Sequence, residues 1–182
     1  MGEFFVTATT TTDRQFRRAV RTTSAIQLEK QYHKFSAAHF LIFDDGSAER
    51  LHGHNYRVGI ELEAALSRGG LVLDFKQVKP LVSAILEPLD ERFLVAALHP
   101  EIAVVRGREE TTVNHGTRRY VVPTDEVCLL PIVNSSAECL AEFIANRLAQ
   151  ALHVHFPDRL LIRLAIGVEE TPGQRSLCTL HF

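Results

Sequence analysis

Between positions 56 and 64 apolar and polar side chains alternate. Tyr56, Val58, Ile60, Leu62 and Ala64 share one parity, with Arg57, Glu61 and Glu63 on the other. A period of two predicts a strand with one buried face. His52 and His54 fall on the apolar parity, so a strand that reaches back to them turns both rings to one side. An earlier alternation, Ile26, Leu28, Lys30 and Tyr32, runs into the small-residue segment Ser36-Ala37-Ala38-His39 and predicts a strand over 26–40. Asp44-Asp45-Gly46-Ser47 then breaks the chain as a loop.

The period changes after Gly69-Gly70. Asp74 is a good N-cap, and Phe75, Val78, Val82, Ile85 and Leu86 form a helical stripe. Pro80 sits inside that stripe, where it removes a donor and crowds the preceding turn, so either the first turn is separate or the helix kinks. Residues 101–130 alternate around Asn114-His115-Gly116 and read as a β-hairpin ending in Val127-Cys128-Leu129-Leu130. Ser135-Ser136-Ala137-Glu138 reads as a capping box ahead of Leu140, Phe143, Ile144, Leu148 and Leu152. Two strands, 159–171 and 175–182, close the chain on either side of Pro172-Gly173. Helices grouped among antiparallel strands give an α+β fold rather than a doubly wound sheet.

Composition narrows the function. With 182 residues, 46% of them hydrophobic, the chain suits one domain over 26–182, preceded by an N-terminal extension over 1–25. The Thr- and Arg-rich stretch 2–23 has the composition of a transit peptide or of a plain extension. A net charge of −2 and a pI near 6.5 give no reason to expect nucleic acid or an anionic membrane, and favour a small-molecule partner. No apolar run approaches the about 20 residues that span a bilayer, and no secretory signal is visible, so a cytoplasmic location is expected. Cys128, Cys139 and Cys178 are odd in number and unpatterned, which suits a reducing compartment and argues against a cysteine metal cluster.

The nine histidines carry the chemistry. Catalytic zinc usually takes three protein ligands and keeps one position open. His52 and His54 at i and i+2 can converge on one ion, and His39, ending the preceding strand, is the candidate third. Each alone has an ordinary reading as a core histidine or a chance pair. On consecutive antiparallel strands they favour a metal centre. Imidazoles without cysteine favour Zn2+, with iron, nickel and copper still open. Glu49 is either a base held over this centre or a solvated loop charge. Glu170 continues the apolar parity of Leu160, Ile162, Leu164, Ile166 and Val168, while Glu169 points the other way. A carboxylate on a buried face needs pairing, unless the strand has already ended and both glutamates are solvated.

The segments "FSAAHF", "LHGHNY", "LVLDF", "LDERFL", "NSSAECLAEFI" and "GVEET", in that order, resemble the 6-pyruvoyl tetrahydropterin synthase family, which includes the 6-carboxy-tetrahydropterin synthases. The resemblance runs from about residue 35 to 171. It implies a tunnelling fold, a four-stranded antiparallel sheet with two helices on one face. Three such sheets would join in a barrel, and two trimers would stack as a homohexamer. It also implies zinc on His39, His52 and His54, a pterin anchored by Glu170, and Ser135 and Ser136 near that pterin. Two parallel N–H donors on the pterin edge would pair well with a carboxylate.

Two family residues differ here. The catalytic cysteine four positions ahead of the HGH motif is Ala48, and the Asp-His pair after the first helix reads Asp90-Glu91. "ERLHGHNY" resembles the subgroup in which a glutamate replaces that cysteine and the side chain of 7,8-dihydroneopterin triphosphate is cleaved to 6-hydroxymethyl-7,8-dihydropterin. That resemblance implies Glu49 as the base, with Asp90 and Glu91 either assisting proton transfer or serving as surface charges. A pyruvoyl- or carboxy-tetrahydropterin synthase and a non-catalytic zinc- and pterin-binding protein are the alternatives.

Overall fold

Strand β3, His52–Ala64, is the spine of the molecule. The computed structural model describes residues 23–29 and 33–182; most of the expected extension, and Lys30 and Tyr32 of the first alternation, lie outside them. β1, Ser24–Leu28, and β2, Lys34–His39, both pair antiparallel with β3. Leu28 faces Ile60 and Lys34 faces Arg57, so six steps along one partner match three along β3. The expected single strand over 26–40 is therefore interrupted.

With β9, Leu161–Thr171, and β10, Gln174–His181, on the other flank of β3, this antiparallel core corresponds to the expected four strands. The sheet is larger than expected. β4, Arg92–Ala96, joins β2 in parallel, and β8, Val127–Leu130, joins β4 in parallel, giving a seven-stranded mixed sheet.

Helices α1, Phe75–Leu86, and α2, Ala137–His155, cover one face. Val78 and Val82 of α1 and Leu140, Ile144, Leu148 and Leu152 of α2 join Ile60, Leu62, Leu164 and Ile166 in one core. Asp74 caps α1 by accepting the Lys76 N–H at 2.9 Å. Pro80 lies inside a helix whose first turn is not separate. Ser136 caps α2 by accepting the Cys139 N–H at 3.3 Å. Glu138 therefore falls one position short of a reciprocal capping box, and accepts the Ser176 hydroxyl at 2.8 Å instead.

The segment after β4 is more than a hairpin. β5, Ile102–Arg106, β6, Glu110–His115, and β7, Arg118–Pro123, form a separate three-stranded sheet, and Val127–Leu130 leaves it to join the main one as β8. Alternation marked the strands, but it carries no information about which sheet each one enters. β4 explains the packing: Leu94 and Ala96 enter the helix-side core, while Phe93 and Val95 form a second cluster with Phe40, Ile42, Val113 and Val127. The small sheet thus caps the face of β4 that the helices leave bare. Among the described residues no helix is long and apolar enough to cross a membrane.

Candidate active site

His39 ends β2 and faces His52 at the start of β3, while His54 faces Ala37. Antiparallel partners share a face, so the three imidazoles gather beyond the helix-side core. Ring centroids lie 4.7 Å apart for His39 and His52, 5.3 Å for His39 and His54, and 4.8 Å for His52 and His54. One ring nitrogen from each lies within 4.8 Å of the others. The group could hold a metal ion.

Backbone carbonyls set two of the tautomers. His39 Nδ1 donates to the Ser135 carbonyl at 2.9 Å, and His52 Nδ1 donates to the Arg50 carbonyl at 2.8 Å. A carbonyl only accepts, so the protons sit on Nδ1 and both Nε2 lone pairs are free. Burial pushes the fully enclosed His39 below its ordinary pKa, with the Glu170 carboxylate opposing that shift, so the ring is held neutral as a ligand must be.

Two orphaned atoms test whether a cation fits. His39 Nε2 is buried without a hydrogen bond, its nearest charged neighbour being Glu170 Oε1 at 3.1 Å in poor alignment. Glu49 Oε2 is also buried without a hydrogen bond, 3.7 Å from His52 Nε2. An unpaired imidazole lone pair and an unpaired carboxylate oxygen beside one histidine cluster are what a divalent cation and its open coordination position would satisfy.

Strand β9 runs to Thr171, so Glu170 remains in the sheet and keeps the parity of Val168. Its Oε1 accepts the Tyr56 hydroxyl at 3.0 Å and lies 3.7 Å from His54 Nε2. Tyr56 is fully buried and stacks on Phe35 with centroids 4.7 Å apart. Burial first, and then the Glu170 charge, raise its pKa, so it stays a neutral donor.

Asp90 and Glu91 lie elsewhere in the chain's architecture. Asp90 Oδ1 accepts the Ser36 N–H at 2.7 Å, and the Glu91 N–H reaches the Ser36 carbonyl at 2.7 Å from a left-handed backbone with φ of 55°. Ser36 pairs with Asn55, the parity opposite to the imidazoles. Glu91 lines a cleft of about 480 Å³ there with Ser36, Asn55, Arg92 and His54. Ser135 is buried, its hydroxyl donating to the Phe40 carbonyl at 2.8 Å, and the Ser136 hydroxyl is the helix cap.

Three further groups support the site. The sequence signals Tyr56, which follows His54 on the same parity, but carries no signal for the Ser135 carbonyl or Arg118. Arg118, at the start of β7, donates to the carbonyl of Ala48 at 2.8 Å and to that of Glu49.

Comparison with known proteins matches this arrangement. The family model for 6-pyruvoyl tetrahydropterin synthase matches residues 27–179. The 6-carboxy-5,6,7,8-tetrahydropterin synthase of Haemophilus influenzae is 34% identical over 151 residues, 80% of this chain and 93% of that protein. A putative 6-carboxy-5,6,7,8-tetrahydropterin synthase of Methanocaldococcus jannaschii is 31% identical over 122 residues, 65% of this chain and 73% of that protein. The crystal structure of the Plasmodium vivax 6-pyruvoyl tetrahydropterin synthase superposes with a TM-score of 0.83 at 25% identity, covering 89% of this chain and 100% of that one. A structure of the same Plasmodium vivax protein carries a catalytic glutamate replaced by alanine. The matched span takes in β2, β3, both helices and β9, hence every residue that builds the histidine cluster, and the chain belongs to the 6-pyruvoyl tetrahydropterin synthase family.

Proposed function

We propose that this protein is a zinc-dependent lyase that cleaves the side chain of 7,8-dihydroneopterin triphosphate to 6-hydroxymethyl-7,8-dihydropterin. The observation that carries the reading is Glu49. Its unpaired carboxylate oxygen stands 3.7 Å from a ring nitrogen of the histidine cluster, in a loop where Ala48 occupies the place of the family's cysteine. The replacement of a catalytic glutamate in the Plasmodium vivax protein agrees with it.

His39, His52 and His54 would hold the zinc, which when bound supplies a Lewis acid that stabilises developing negative charge on side-chain oxygens. Glu170 accepts the paired N–H donors of the pterin edge, and Tyr56 fixes its orientation from below. Glu49 takes the proton from the hydroxyl on the second side-chain carbon. As that oxygen becomes a carbonyl, the bond to the first carbon breaks and its electron pair passes into the dihydropterin. Protonation of the first carbon leaves the hydroxymethyl product, and the departing fragment is a triphosphorylated glycolaldehyde. A carboxylate is a weak base near neutrality, so the hydroxyl must be acidified beside it.

A second reading, a 6-carboxy-tetrahydropterin synthase, is favoured by the names of the Haemophilus influenzae and Methanocaldococcus jannaschii relatives. The substrate separates the two. Incubation with 7,8-dihydroneopterin triphosphate is expected to yield a two-carbon fragment that keeps its triphosphate; free tripolyphosphate would favour the synthases, without C–C cleavage for a pyruvoyl product and with loss of a two-carbon fragment for a carboxy product, and binding without turnover a non-catalytic protein. Glu49→Gln is expected to lower turnover at least about 100-fold, the scale of a lost general base, with zinc content retained. Full turnover in that variant would remove Glu49 from the mechanism.

A further inference from the structure

Glu49 belongs to a loop that folds back on itself. The Phe43 N–H reaches the Ser47 carbonyl at 2.8 Å, the Glu49 N–H reaches the Leu41 carbonyl at 3.0 Å, and Ile42 bridges to Ala48. The Glu49 carboxylate is less secured than this backbone, because its Oε2 has no hydrogen bond and the side chain is 35% exposed. Its direction therefore depends on the peptide that carries it.

That peptide is gripped from a distant part of the chain. One nitrogen of the Arg118 guanidinium donates to the Ala48 carbonyl at 2.8 Å, and another donates to the Glu49 carbonyl. Two donors of one rigid plane on consecutive carbonyls fix the orientation of the peptide between them, which a single flexible ammonium does less well. Arg118 is itself well mounted. It pairs with His115 across the β6–β7 turn, where Gly116 adopts a φ of 55°. His115 is buried, 3.2 Å from Glu101 Oε2, and its ring lies 6.1 Å from Phe40. Phe40, which enters the Glu49 loop, stacks on Tyr120 of β7 at 5.4 Å. The small sheet and the loop thus form one packed unit, and Arg118 is its polar contact behind Glu49.

We infer that Arg118 is a positioning residue, and that the three-stranded sheet serves the reaction by holding Glu49 over the histidine cluster. This rests on Glu49 acting as the base. Displacement of a reacting group by about 1 Å costs on the order of 100-fold in rate, so loss of the clamp should act on turnover rather than on substrate or metal affinity.

The test uses the zinc-loaded, full-length protein with Arg118→Ala and Arg118→Lys, each alone and combined with Glu49→Gln. For Arg118→Ala, kcat on 7,8-dihydroneopterin triphosphate is expected to fall about 10- to 100-fold, KM to change less than about threefold, and zinc stoichiometry to hold. Amide hydrogen exchange over residues 43–51 should accelerate, and Arg118→Lys should recover part of both effects. In the Glu49→Gln background the Arg118→Ala loss should vanish, because a residue acting only through Glu49 is not additive with it. Unchanged exchange over 43–51, or the same loss of kcat in the Gln background, would overturn the inference. If Arg118→Ala does not fold, the Lys variant supplies the same comparisons. Wild-type turnover in Glu49→Gln would instead sink the base assignment and with it the catalytic purpose of the clamp, whereas the exchange result still decides whether the clamp exists.

Discussion

Glu170 occupies a position that polar chemistry rarely chooses, on the core-side face of a strand beside three imidazoles. What makes it tolerable is Tyr56, whose hydroxyl donates to Oε1 at 3.0 Å from beneath. The ring below is fully enclosed and stacked on Phe35, so the donor does not wander. Tyr56→Phe keeps the stack and removes only the donor. One lost hydrogen bond to a charged group is worth about 1.5–3 kcal/mol, which corresponds to roughly 10- to 100-fold in affinity. KM for the pterin is accordingly expected to rise about tenfold, with zinc content unchanged, measured by steady-state kinetics and metal analysis. A loss of zinc without a change in KM would instead tie Tyr56 to the metal side of Glu170. At this scale much was legible in the sequence. His52, His54 and Glu170 declared themselves because a strand forces alternate residues to one side and their parity was apolar, and His39 because it ends the strand that precedes them. The Ser135 carbonyl and Arg118 left no such trace, since hydrogen bonds to backbone carbonyls across 96 and about 70 positions follow no local period.

The elements show where periodicity stops being informative. The sequence of β9 alternates, and β3 and the two helices each have one wetter side that announced them. β4 has none: Phe93 to Ala96 are all buried, with Leu94 and Ala96 toward the helices and Phe93 and Val95 toward the small sheet. A strand covered on both faces reads as a continuous apolar run, so its place in the sheet, and the parallel pairing with β8, were not visible beforehand. Sequence alternation likewise found the strands of the insertion, but it held no clue that they would leave the main sheet and cover β4. Phe93 is the residue that joins the two layers, with ring centroids 6.1 Å from Phe40 and 5.9 Å from Tyr120. Phe93→Ala should cost about 3 kcal/mol, as truncation of a buried aromatic generally does, and loosen the insertion from β4. Urea unfolding monitors the loss. A cost below about 1 kcal/mol would mean that the small sheet docks through other contacts.

At the scale of the molecule, the histidine cluster ties together parts of the chain that are far apart in sequence. His39 comes from β2, His52 and His54 from β3, and the carbonyl that orients His39 from Ser135, just ahead of α2. An unfolded chain does not bring these groups together, so an ion they bind belongs to the folded state alone and stabilises it by mass action. At free zinc about 100 times the dissociation constant, that contribution is about 2.7 kcal/mol. For a chain of this length each kcal/mol moves the midpoint by about 2–4 °C, so removing the ion should lower Tm by roughly 5–10 °C. The measurement is a thermal scan of the purified protein before and after dialysis against a chelator, at one fixed protomer concentration, because association between copies would also shift the midpoint. Returning zinc should restore the original Tm. His52→Ala leaves the buried core intact and removes one ligand, so its Tm should respond to chelator and zinc much less than that of the parent chain. Equal midpoints for chelated and zinc-loaded parent protein would mean that the three imidazoles hold no ion, and the proposed chemistry would lose its electrophile.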